Sequence, residues 1–412
     1  MLTRSRRRLI VLLVVPLLGL SPLSAASAAA ADVHGESSKV VLDWERISIS
    51  TIYGDPLKPP TTPIAVGVPY LGYTSLAMFK AARAAGRQHG SSSAAIAQAA
   101  HDVLIQYYPL LTTELNKDLD LSLATVAEGP VKQRGIVAGA RVAAQLIRSR
   151  ADDQPDPSIV YAKAAAPGVW QPAPDRPMLA PWLGFIDPLV VHRRVRIAGV
   201  DGPDPLRSAT YARQYNEVKN LGAVSGSTRT AEQTETATFF NSNSAIMVSE
   251  GLLRYLDDRR IGLLETARLF AMIHSSMTDA LITCWRLKYE VGFWRPFQAI
   301  HGASSDGNPA TEPDETWVSL LPNPPYGDYV SGHGCVTSPA VEVIRETLGE
   351  RTPLTLLSYP SMTKRNYSNL RSIERDAFHS RIWGGLHFRT AMNDAYAIGH
   401  ATADVVVAKL GD

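Results

Sequence analysis

Two cysteines in 412 residues exclude a disulfide framework and a four-cysteine zinc site. Cys284 and Cys335 can bridge in an oxidising compartment or stay as two buried thiols, and chain order alone does not give their separation. Charge is also scarce, at 19%, and it is unevenly placed. Arg4, Arg6, Arg7 and Arg8 precede the first acid, Asp32, so beyond Ala31 the balance is 37 basic against 39 acidic side chains. That remainder has no positive excess from which to build a large nucleic-acid-binding face. No later apolar run approaches the roughly 20 residues of a membrane-spanning helix. A Gly-rich phosphate loop, a Gly-x-Ser-x-Gly elbow and a His-Glu-x-x-His motif are all missing, as is any repeat of roughly 20–50 residues. The chain is nevertheless 45% hydrophobic, enough for a large core.

The first 31 residues read as a secretory leader. Arg4 to Arg8 are followed by an apolar run, Leu9 to Leu20, and by small residues including Ala26-Ser27-Ala28, the pattern of a cleaved signal peptide. The run is too short to cross a bilayer and carries Pro16 and Gly19. Ser5-Arg6-Arg7-Arg8-Leu9 also fits a twin-arginine signal, so export by either the general or the twin-arginine route is expected, ending in a secreted protein.

The rest predicts one mostly α-helical unit, with a region from 32 to 205 and a core from 206 to 412. Ile96, Ala100, Val103 and Tyr107, and again Ile136, Ala140, Ala143 and Ile147, recur at helical spacing. Eight prolines between Pro155 and Pro188 interrupt any helix, yet Trp170, Trp182 and Phe185 are too apolar for a free linker, so a packed loop is expected. Helical spacing resumes near Leu206, with a second Pro/Gly-rich loop from Gly302 to Gly327 and a last helix from near His387 to about Lys409. No strand-like alternation recurs, which leaves an all-α helical bundle. Asp152-Asp153, Asp156 and Asp257-Asp258-Arg259-Arg260 read as solvated turns and helix ends.

Three stretches end apolar faces with polar chemistry. Phe270, Ile273, Met277, Leu281 and Cys284 form a stripe whose next position is Lys288, an ammonium group that needs an anion or an escape to water. Arg295-Pro296 follows the apolar Phe293-Trp294. Ser331-Gly332-His333 leads into a helix whose face reads Val336, Ala340, Val343 and Ile344, so Ser331 is either an N-cap or part of an anion site at a helix N-terminus. Arg381 and His387 precede a helix with Ala391, Ala395, Ile398, Thr402 and Val405 on the face of His387. A cluster of three cations and two histidines at the ends of buried faces is unstable unless an oxyanion fills it.

Lys288-x6-Arg295-Pro296, Ser331-Gly332-His333 and Ser380-Arg381-x5-His387 resemble the three-part signature of the superfamily of vanadium-dependent haloperoxidases and type 2 phosphatidic-acid phosphatases. Order and gaps match, with 34 residues between Pro296 and Ser331 and 46 between His333 and Ser380. Flanking text from about Ser208 onward is closest to bacterial haloperoxidase-type proteins. Two positions depart from the pattern. Val330 stands where proline is usual, and Ala391 stands where a carboxylate usually follows the second histidine by four residues; Asp394 is the nearest acid beyond it.

The resemblance implies a helical bundle that binds vanadate, with phosphate able to occupy the same site. It assigns Lys288, Arg295, Ser331, Gly332 and Arg381 to the oxyanion, His387 to vanadium, and His333 to acid/base chemistry, with Lys288, His333 and His387 as the catalytic group. Expected partners are hydrogen peroxide, a halide and a small organic acceptor. The alternatives are a phosphomonoesterase with His387 as nucleophile, acting on a phosphate ester, and a non-catalytic oxyanion-binding protein. Tyr329, Trp317 and Phe297 are candidate pocket aromatics, and a homodimer is compatible with a bundle of this kind.

Overall fold

The computed structural model describes residues 35–58, 61–191 and 200–411; the leader of residues 1–31 lies outside them. Among the described residues there are thirteen α-helices and one β-hairpin. The helices are α1 (Lys39–Tyr53), α2 (Ile64–Arg87), α3 (Ser92–Tyr107), α4 (Thr112–Ala124), α5 (Pro130–Ser149), α6 (Ala209–Gly222), α7 (Ala231–Phe239), α8 (Ser244–Leu256), α9 (Leu263–Val291), α10 (Pro296–His301), α11 (Gly332–Leu348), α12 (Leu370–Trp383) and α13 (Arg389–Leu410). The all-α expectation holds for the architecture. The hairpin, β1 (Leu354–Ser358) against β2 (Thr363–Tyr367) in antiparallel register, corrects the expectation of no strands. Its second strand, Thr-Lys-Arg-Asn-Tyr, is mostly exposed and carries no apolar alternation to read.

The central element is α9, 29 residues long and buried along most of its length. Its predicted stripe is buried throughout, from Phe270 to Lys288. α2 lies along it, and the contact is too close for a side chain at Gly72, where a Cβ would meet Leu189 Cδ1 at 2.7 Å and the His274 carbonyl at 3.2 Å. On the far side α11 and α13 pack on α9 and on each other. Buried apolar residues from α1 to α13 form one continuous core, so the regions before and after residue 205 share their apolar faces.

Helix α5 forms where its periodicity predicts, but it buries a different face. Gly135, Ala138, Gly139, Ala143 and Leu146 point inward, while Ile136 and Ile147 are only half-buried. The reason is close approach: a Cβ on Gly139 would sit 2.9 Å from Gln98 Cβ on α3. Small residues are selected at such a seam, and the larger ones move to its margins.

The proline-rich segment is a packed loop, as expected. Trp170 and Trp182 are buried, whereas Phe185 is 38% exposed and carries Arg286 over its ring at 4.0 Å. The loop is fastened at both ends. Trp170 N–H donates to the Gly292 carbonyl at 2.8 Å and Trp294 N–H to the Gly168 carbonyl at 2.9 Å. The Asp279 carboxylate accepts the backbone N–H groups of Leu189, Val190 and Val191 at 2.6–2.9 Å. Asp153, read from sequence as a solvated turn, is buried and accepts from the Tyr73 hydroxyl at 2.8 Å. Among the described residues no helix is long and apolar enough to cross a membrane.

Candidate oxyanion site

Lys288 lies in the last turn of α9, fully buried. The helix stops at Gly292, whose φ of 62° favours glycine. A Cβ there would also collide with the Tyr161 ring. The chain then turns through Phe293 and Trp294 to Arg295, the N-cap of α10. Ser331 caps α11, accepting the Gly334 N–H at 3.3 Å. The N–H of Gly332 at the head of that helix has no intrahelical acceptor. Arg381 sits in the last turn of α12, and His387 follows in the short connection to α13. Gly385 shapes that connection with φ 76°, its backbone packed against the Gly222 carbonyl.

These stretches converge. Arg295 Nη1 lies 3.2 Å from His387 Nε2 and donates to the Leu386 carbonyl at 2.9 Å, while its Nε donates to the Tyr326 carbonyl at 2.8 Å. Lys288 Nζ donates to the carbonyls of Gly327 and Asp328 at 2.8 and 3.1 Å. Arg381 Nη1 donates to the Phe240 carbonyl at 3.3 Å. The backbone carbonyls thus take the outward N–H groups, and Arg295 Nη2 and Arg381 Nε remain buried without a partner. A buried guanidinium nitrogen left without an acceptor is costly, and an oxyanion between the two would supply what both lack.

Electrostatics agree with that reading. Burial, reinforced by Arg295, holds the Lys288 ammonium well below its ordinary value, against the pull of Asp328. Burial lowers Arg381 to about 10, with Arg295 adding to the shift. His387 is held well below the imidazole range by burial and then by Arg295, Lys288 and Arg381. His333 is lowered by burial and Arg381, and its Nε2 lies 3.2 Å from the Ser242 carbonyl. Because a carbonyl can only accept, Nε2 carries the proton there and Nδ1 is the free nitrogen. Both imidazoles are thus pushed toward the neutral form, the one that can serve as a ligand or nucleophile.

Lys288, Arg295, His333, Arg381 and His387, singled out from the sequence, lie close enough to act on one another electrostatically, and Ser331 and Gly332 adjoin His333 at the head of α11. Of the candidate aromatics, Tyr329 donates to Asp394 at 2.6 Å and Trp317 to the Lys219 carbonyl at 2.9 Å, and both are buried. Phe297 packs edge-on against His301. The aromatic shared by two of the cations is Tyr326, with Lys288 at 4.8 Å and Arg295 at 5.0 Å from its ring centre, and Trp285 lies 6.0 Å from Lys288. The bond to Tyr329 also takes Asp394 out of consideration as a substitute carboxylate for His387. That place belongs to Asp328, whose Oδ1 is 2.7 Å from His387 Nδ1. Sequence reasoning passed over Asp328; its only mark was a carboxylate three residues ahead of Ser331, in a loop too apolar to be solvent-facing.

Comparison with known proteins supports the resemblance. Residues 268–412 match the family model of the VCPO second helical-bundle domain. All seven candidate residues fall within that stretch. Vanadium chloroperoxidase of Curvularia inaequalis is 35% identical over 89 residues, covering 19% of this chain and 14% of that protein. The match to that relative therefore spans about one seventh of its length. The crystal structure of the first bacterial vanadium-dependent iodoperoxidase superposes with a TM-score of 0.71 at 18% identity, over 90% of this chain and 96% of that one. A holo-type bacterial vanadium-dependent chloroperoxidase gives 0.66 at 16% identity, over 88% and 94%. At these identities the likeness shows a shared helical-bundle fold and nothing of the chemistry.

Proposed function

We propose that this chain is a secreted vanadium-dependent haloperoxidase that oxidises halide with hydrogen peroxide at a vanadate held by His387. The observation that carries the reading is a buried imidazole, 3.2 Å from Arg295 Nη1, among three buried cations, two of which keep an unpartnered N–H. Lys288, Arg295 and Arg381 would neutralise the oxyanion, with the Ser331 hydroxyl and the Gly332 N–H as further donors. His387 would offer Nε2 as the metal ligand. His333, neutral and protonated on Nε2, has a nitrogen free at Nδ1 to accept a proton from peroxide and return it. When bound, vanadate supplies a Lewis-acidic centre that polarises the peroxide O–O bond for attack by halide. Export follows from the leader read in the sequence and is supported by the bridge between Cys284 and Cys335.

A second reading is favoured by one contact. Ala391 leaves no carboxylate four residues after His387 to steady it as a nucleophile, and Asp328, 2.7 Å from His387 Nδ1, can take that part. In this reading His387 attacks phosphorus and His333 protonates the leaving alcohol. Purified protein separates the two. Loaded with orthovanadate and supplied with peroxide and bromide, it is expected to brominate a dione reporter, with His387→Ala at background. Failure there, with hydrolysis of an aryl phosphate by the vanadate-free protein, would establish the phosphatase instead. Silence in both assays with vanadate still raising the melting temperature would leave a binding protein.

A further inference from the structure

The loop of Tyr326, Gly327 and Asp328 gives all three of its carbonyls to Arg295 and Lys288. Its one carboxylate turns to His387 instead. Asp328 and His387 are almost wholly buried, with side chains 1% and 2% exposed. Asp328 Oδ1 also faces the Phe388 N–H at 3.4 Å, next along the chain from the imidazole. Among the described residues no other carboxylate hydrogen-bonds the ring: Asp394 is engaged by Tyr329, and position 391 offers only a backbone carbonyl, which accepts from Ser331 N–H at 3.0 Å.

We propose that Asp328 is the positioning residue for His387. A carboxylate oxygen at Nδ1 selects the tautomer with its proton on Nδ1, which leaves the Nε2 lone pair on the side of Arg295, whose Nη1 lies 3.2 Å from it. Flipping the ring would exchange that bond for a C–H contact and bury the Nδ1 proton without an acceptor. The proposal rests on the haloperoxidase reading for its consequence, metal ligation, but not for the tautomer itself.

The test compares two anions. Vanadate would take His387 as a ligand as well as the cations, whereas inorganic phosphate would be held by the cations alone. Replacing Asp328 removes negative charge from a cationic site, so electrostatics alone would leave the binding of either anion unchanged or tighter. A loss confined to vanadate therefore reports the imidazole. In equilibrium dialysis at fixed pH, Asp328→Ala is expected to bind vanadate roughly 10–100-fold more weakly. Phosphate affinity should hold or rise, and Asp328→Asn, which keeps an acceptor oxygen, should recover part of the loss. Unchanged vanadate affinity in Asp328→Ala, or equal loss for both anions, overturns the proposal. A second measurement needs no anion. Histidine-ring ¹⁵N shifts, with His387→Gln to assign the signal, should show Nδ1–H in the wild type and lose that preference in Asp328→Ala. An Nε2–H tautomer in the wild type would refute the proposal outright. If instead the tautomer is as expected but wild-type protein binds vanadate no more tightly than phosphate, the haloperoxidase reading fails and the role of Asp328 stands.

Discussion

Arg295 does two jobs with one side chain. Nε and Nη1 are spent on the carbonyls of Tyr326 and Leu386, and Nη2 is kept for the centre of the site. A lysine has the charge without the planar fork, so Arg295→Lys should weaken vanadate and phosphate binding alike by roughly tenfold or more, about the worth of one hydrogen bond to a charged group. Titration calorimetry with either anion measures this. A second buried group acts on stability. Glu45 hydrogen-bonds Ser75 at 2.8 Å, and Ser75 lies 2.7 Å from His274 Nδ1. Burial pushes Glu45 from 4.5 up to about 8 and His274 from 6.5 down to about 3. Between about pH 4.5 and 8 the folded chain keeps a proton on Glu45 that the unfolded chain has released, so stability falls as pH rises. Between about pH 3 and 6.5 the unfolded chain holds a proton on His274 that the folded one lacks, so stability falls as pH drops. The two slopes cancel in the overlap, which predicts a plateau near pH 4.5–6.5 from this pair. The stability of the wild type relative to Glu45→Gln should then decline by about 1.4 kcal/mol per pH unit above 4.5 and level off near 8, in urea unfolding at a series of pH values.

Among the elements, α9 and α11 carry the heart of the site, and Cys284 and Cys335 join them with Cα atoms 6.6 Å apart. Cys284 lies one helical turn before Lys288, and Cys335 lies two residues after His333. The bridge closes a sequence separation of 51 residues, for which chain entropy predicts about 4 kcal/mol. Cys284→Ser is expected to lower the unfolding free energy by about 2–5 kcal/mol, and reductant should do the same to the wild type and nothing further to the variant. The seam between α11 and α13 is equally specific. A Cβ on Gly399 would overlap Ser338 Oγ and lie 2.6 Å from Pro339 Cδ. Gly399→Ala should therefore cost about 1–3 kcal/mol as overpacking, despite the better helix propensity of alanine; thermal unfolding reads it directly.

At the scale of the molecule, the region before residue 205 is part of the site's support. α2 covers α9, and the proline-rich loop anchors Trp285 through Leu179 at 3.1 Å and holds Gly292 and Trp294 on the way to Arg295. Residues 206–412 expressed alone are expected to lack a cooperative unfolding transition and to bind a hydrophobic dye, because the face of α9 against α2 would be exposed. The amino-acid order determined a good deal by itself. Helix locations follow from local periodicity, and the seven candidate residues are marked by three short motifs, each spanning a helix end and a turn, whose joint meaning comes from the family resemblance. What it left open were contacts between distant stretches. Which carboxylate meets His387 depends on a loop 59 positions away, which aromatic covers the cations depends on how that loop folds over α9, and which face of α5 is buried depends on the closeness of α3. Local sequence encodes backbone preference; the partners of a buried polar group are set only when the packed core leaves it one place to go.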